Sequence, residues 1–125
     1  AGRACLELGA GCGLVGLSLA QVGAGPIFLT DSNQQALDNL DHNLALNRHL
    51  HGETKRGSGA TVASAYLDWG DHGASWRPPT SASASADDTP EIDVILGSDI
   101  TYDEDVIPDL VKTIRTFLCR GQGRQ

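Results

Sequence analysis

Apolar residues follow two rhythms along this chain. Short runs at 4–8, 27–30, 60–67 and 92–97 read as strands, the last of them (IDVILG) continuous and β-branched. A run that is apolar throughout, with no polar alternation, suits a strand covered on both faces. Between the runs the spacing lengthens to three and four residues. Residues 14–22 carry enough apolar side chains for a helix lying on a sheet. Leu37, Leu40 and Leu44 mark a second helix, which opens on a Ser32/Gln35 capping-box spacing and frays at 49–52. A third helix has Asp103, Glu104 and Asp105 at its start, where the helix dipole favours negative charge. Its buried stripe is Val106, Leu110, Ile114 and Phe117, joined by Val111 and Leu118. Pro108 is tolerable there because it falls near the first turn, and Gly121 and Gly123 end the helix.

The order is β-α-β-α-β-loop-β-α, which predicts a parallel α/β sheet with right-handed crossovers. Such a sheet binds its ligand beyond the carboxyl ends of the strands. Residues 53–60 are polar and Gly-rich and predict a loop. The tract 71–90, DHGASWRPPTSASASADDTP, changes composition towards Ser, Ala and Pro and predicts a disordered insertion within one domain spanning 1–125.

Composition adds a few exclusions. A net charge of −7 argues against a broad grip on nucleic acid phosphates. Cys5, Cys12 and Cys119 are too scattered for a metal set and suit a reducing compartment, so a cytoplasmic setting without a metal is expected, with the nucleus as the alternative. No run approaches the roughly 18 apolar residues of a membrane helix.

The chemistry concentrates where strands end. Gly9, Gly11, Gly13 and Gly16 crowd the turn between the first strand and helix, as a backbone touching a ligand requires. Gly11-Cys-Gly13-Leu-Val-Gly16 satisfies the dinucleotide fingerprint, and Gly9-Ala-Gly11-Cys-Gly13 equally satisfies the S-adenosylmethionine (SAM) pattern. Asp31 stands at the distance for a ribose in both. Glu7 favours the second reading: a carboxylate suits the cationic sulfonium and ammonium of SAM and not a pyrophosphate. Its plainer alternative is a strand-end acid paired with a cation elsewhere. Asp68 and Trp69 follow the third strand, placed to meet an adenine amine and ring, unless Trp69 is simply core. Ser98, Asp99 and Tyr102 close the fourth strand as a polar pocket mouth, the alternative being a helix-capping aspartate and a packing tyrosine.

Taken in order, LELGAGCGLVGL, LTDS, LDWG and VILGSDITYD resemble methyltransferase family 16, seven-β-strand class I enzymes that methylate lysine on non-histone proteins. The resemblance covers residues 4–118 apart from the 71–90 tract. It implies a Rossmann-like three-layer sandwich, of which this chain carries strands one to four in the order 3-2-1-4. The chain stops where strand five would begin, so the active site expected here is partial. By the same resemblance, Asp99 and Tyr102 are catalytic. Glu7, Gly9, Gly11, Gly13, Asp31, Asp68, Trp69 and Ser98 hold SAM. The partner is a protein, such as a translation factor or chaperone, met by a monomeric enzyme. Two further readings stay open: methylation of another target (arginine, histidine or a small molecule), or a non-catalytic nucleotide-binding module. A nicotinamide-dependent oxidoreductase lacks any supporting Tyr-x-x-x-Lys pair.

Overall fold

A computed structural model describes residues 2–51, 61–74, 76, 78–79 and 91–120. The expectations for 52–60, 80–90 and 121–125 lie outside the described residues.

Four strands form one parallel sheet: β1 (Cys5–Leu8), β2 (Ile27–Asp31), β3 (Val62–Tyr66) and β4 (Val94–Gly97), in the order β3-β2-β1-β4. Helices α1 (Leu14–Gln21) and α2 (Gln34–Leu46) follow β1 and β2, and α3 (Ile107–Arg120) follows β4. Chain order reverses at β1, with β2 on one side and β4 on the other. That reversal opens a crevice at the strand ends.

The period of two along each strand sends alternate residues into two cores. Leu6, Leu8 and Phe28 pack with Trp76, Leu110 and Phe117 on the α3 side. Cys5, Ile27 and Leu29 pack with Ala20, Leu37, Leu40 and Leu44 on the α1 and α2 side. Leu6, Leu8, Ile27, Leu29 and Leu40 are fully buried, each contributing about 1.5–3 kcal/mol of apolar transfer. The result is the three-layer α/β/α arrangement of a partial Rossmann-like fold.

Local differences from the sequence expectation have local causes. The cap of α2 is Asn33, one residue after Ser32. Its side-chain oxygen accepts from the Gln35 and Ala36 N–H groups, while Asp31 accepts from the Asn33 N–H. β4 begins at Val94 because the Ala4 carbonyl accepts both the Asp93 and Val94 N–H groups, and the Asp93 carboxylate takes the Ala4 N–H at 2.7 Å. A 3-10 turn, Glu104–Val106, precedes α3, so Pro108 falls in the first turn of the helix. Within the 71–90 tract, Trp76 is buried, stacked edge-on against Phe28 and Phe117 at centroid distances of 5.6 and 5.2 Å. The start of that tract is therefore part of the core.

Candidate active site

The loop between β1 and α1 is held by three hydrogen bonds, two to the end of β2 and one from α2. Its Ala10 N–H donates to the Thr30 carbonyl at 2.8 Å, and its Gly11 N–H to Asp31 Oδ2 at 3.0 Å. From α2, Asn43 Nδ2 donates to the Cys12 carbonyl at 2.9 Å. Gly13 ends the loop in the left-handed region, φ 84°, as the N-cap of α1. A Cβ there would stand 2.4 Å from Leu40 Cδ1, so only glycine fits.

Glu7 projects from β1 beneath this loop and is 2% exposed. Its Oε2 accepts the Gly16 N–H at 3.0 Å. Gly16 is the third residue of α1, where an N–H has no partner within the helix. Burial pushes the Glu7 carboxyl above its ordinary range, and the Gly16 N–H pulls it partly back.

Asp31 uses both oxygens locally: Oδ2 on Gly11 and Oδ1 on the Asn33 N–H at 2.9 Å. Each oxygen keeps a second lone-pair direction for another donor. After β3, Asp68 Oδ1 accepts the Gly70 N–H at 2.9 Å and caps a 3-10 turn, Trp69–Asp71. The Trp69 ring is half-buried against the α3-side core and lies beside Gly9. After β4, Asp99 sits in the left-handed region at φ 56°, a conformation aspartate tolerates better than most residues. Tyr102 is 84% exposed.

These ends meet around one cavity of about 300 Å³. Of the residues expected at the site, Gly9, Asp31, Asp68, Trp69, Asp99 and Tyr102 line it. Glu7, Gly11, Gly13 and Ser98 do not: Glu7 lies beneath the loop on the Gly16 N–H, Gly11 and Gly13 belong to the loop itself, and Ser98 is exposed beyond β4. Ile100, Asp103 and Asp109 also line the cavity and were missed. Asp109 comes from α3, whose place over the strand ends no local pattern reveals. The DITYD spacing itself held the signal for Ile100 and Asp103. Aspartates 31, 68, 99, 103 and 109 make the lining acidic, which favours a cationic guest. The His72 ring and the Lys112 ammonium beside Asp109 hold its carboxyl below the ordinary range.

SAM fits what these residues offer. Asp31 presents carboxylate acceptors for hydroxyl groups, and Trp69 presents a flat apolar face. The loop leaves open space where a Gly11 side chain would project.

A glycine-rich loop after β1, an acid at the end of β2 and a cavity across parallel strand ends define a class I, Rossmann-like cofactor-binding protein. The chain belongs to the lysine methyltransferase family, methyltransferase family 16, whose pattern matches residues 1–122. It is 36% identical over 113 residues to mouse protein N-lysine methyltransferase METTL21A, covering 90% of this chain and 43% of that protein. It is 29% identical over 118 residues to Arabidopsis thaliana calmodulin-lysine N-methyltransferase, covering 94% and 33%. It is 31% identical over 122 residues to the Xenopus laevis histone-arginine methyltransferase METTL23, covering 96% and 43%. The chain thus spans less than half the length of these relatives. Family and fold agree on SAM as the cofactor. Among the described residues, no helix is long and apolar enough to cross a membrane.

Proposed function

We propose that this chain forms the cofactor-binding part of a SAM-dependent methyltransferase that modifies a lysine side chain on a non-histone protein. The observation that carries the reading is one cavity shared by Asp31, Trp69, Asp99 and Tyr102, contributed from the ends of β2, β3 and β4. When bound, SAM supplies an electrophilic methyl group on a sulfonium.

Asp31 accepts the ribose hydroxyls while keeping its hold on Gly11, so the glycine loop and the cofactor share one anchor. Trp69 and Asp68 meet the adenine. The acidic lining draws in a substrate ammonium, yet acids also favour the charged form that cannot attack. A lysine of pKa about 10.4 needs roughly 4.6 kcal/mol to lose its proton at pH 7. The cofactor's positive charge works against that cost. Asp99 and Tyr102 then accept hydrogen bonds from the remaining amine protons and aim the lone pair. Positioning of this kind supplies several kcal/mol of barrier reduction.

The family resemblance supports a translation factor or chaperone as the protein methylated, a monomeric enzyme and a cytoplasmic setting. Arginine is the second reading, favoured by the likeness to METTL23. The test is to incubate the full natural chain with methyl-labelled SAM and a cell protein extract, then locate the label by mass spectrometry. Label on lysine is the expected result. Label on arginine selects the second reading, and no label on any protein overturns both.

A further inference from the structure

The Trp69–Asp71 turn forms one wall of the cavity, and its local hydrogen bonds include Gly70 N–H to Asp68 Oδ1 and Gly73 N–H to Asp71 Oδ1. Two ties then anchor it to α3, some forty residues later in the chain. The Trp69 carbonyl accepts the His72 N–H at 2.9 Å and the Thr113 hydroxyl at 3.3 Å. Thr113 is fully buried, so this hydroxyl lies where an unmet polar group is costly. One residue past the turn, His72 occupies the left-handed region at φ 54°, and its Nε2 meets Asp109 Oδ1 at 2.8 Å. Asp109 itself lines the cavity. The turn is therefore tied to consecutive rungs of α3, once through its backbone and once through the side chain that follows it.

We propose that His72 and Thr113 are positioning residues for the cofactor: together they hold the Trp69 turn against α3, and through it set affinity and selectivity for the adenine base. This rests on the reading of the cavity as a SAM site. The His72 and Asp109 side chains are 37% and 40% exposed, and a pair this open adds little to global stability. Its consequence is local. With either tie removed the turn can shift, carrying the Trp69 ring and Asp68 away from the base, whereas Asp31 keeps its hydrogen bonds to Gly11 and Asn33. The loss should then fall on recognition of the base and not on the ribose.

The test uses calorimetry on the full natural chain with two ligands, S-adenosylhomocysteine and S-inosylhomocysteine, which differ only in the base. The unaltered protein should prefer the adenine form. His72→Ala and the near-isosteric Thr113→Val should each weaken S-adenosylhomocysteine by about three- to tenfold, the size of one hydrogen bond, and erase most of the preference. His72→Gln, which can still donate to Asp109, should restore both. Unchanged affinity and preference in His72→Ala and Thr113→Val would overturn the proposal. So would equal weakening of the two ligands in step with a lowered melting temperature, the mark of a merely structural role. If the unaltered protein binds neither ligand, the SAM reading itself falls, an outcome distinct from either of these.

Discussion

Asp31 Oδ2 accepts the Gly11 N–H at 3.0 Å, joining the end of β2 to the middle of the glycine loop. One carboxylate thus shapes the loop and offers its remaining lone pairs to a ligand. Asp31→Ala should weaken S-adenosylhomocysteine binding by about 1–3 kcal/mol, and Asp31→Asn, which keeps one carbonyl acceptor, by less. Calorimetry on both variants checks the order. Equal affinity in Asp31→Ala and the unaltered protein would remove Asp31 from the site.

The glycines of the loop should separate by what surrounds them. At Gly16 a Cβ would stand 2.0 Å from Leu29 Cδ2, inside the α1-side core. Gly16→Ala should therefore destabilise by about 1–3 kcal/mol or more through overpacking. At Gly11, φ 54°, a Cβ meets nothing within 4 Å. Gly11→Ala should cost only about 1–2 kcal/mol of backbone strain. Chemical denaturation compares the two, and a larger loss at Gly11 would contradict the packing described.

Much of this was legible in the sequence because strong local rules agreed. Among the described residues the apolar rhythms located the four strands and three α-helices, though not the short 3-10 turns, and clustered glycines are costly enough to mark a loop by themselves. Single residues that act through tertiary contact were not legible. Trp76 sits in a tract whose composition reads as loop, and one aromatic does not shift an average. Ser32 and Asn33 are both good caps, and the choice falls to Asn33 because the Asp31 carboxylate already takes the Asn33 N–H. Glu7 reads as a ligand for a cation, yet its carboxylate rests on the Gly16 N–H, nine residues on. The ties from His72 and Thr113 to their partners span 37 and 44 residues, beyond any motif.

Glu7 should leave a pH signature. Burial raises its folded-state pKa above the unfolded value, so the native state holds the proton more tightly. Its contribution to stability is then fully present below the unfolded pKa and declines as pH rises through the folded one. Glu7→Gln keeps an acceptor for Gly16 but cannot titrate. Melting temperatures between pH 4 and 8 should fall more steeply with pH in the unaltered protein than in Glu7→Gln. A parallel pair of curves would mean that Glu7 carries no such shift.

Asp99 holds a carboxylate at the cavity in a backbone conformation that glycine adopts without strain. Asp99→Gly should thus raise stability by up to about 1 kcal/mol while lowering methyl transfer far more than cofactor affinity. Denaturation, calorimetry and turnover on one preparation separate the three. Unimpaired turnover would leave Asp99 a structural residue.

The central claim is that the cavity across the ends of β2, β3 and β4 holds SAM. Calorimetry of the full natural chain against S-adenosylhomocysteine and NADH tests it most directly, with Asp31→Ala as the control. The account predicts binding of S-adenosylhomocysteine, its loss or marked weakening in Asp31→Ala, and no heat from NADH. Binding of NADH, or no binding of S-adenosylhomocysteine, would contradict it.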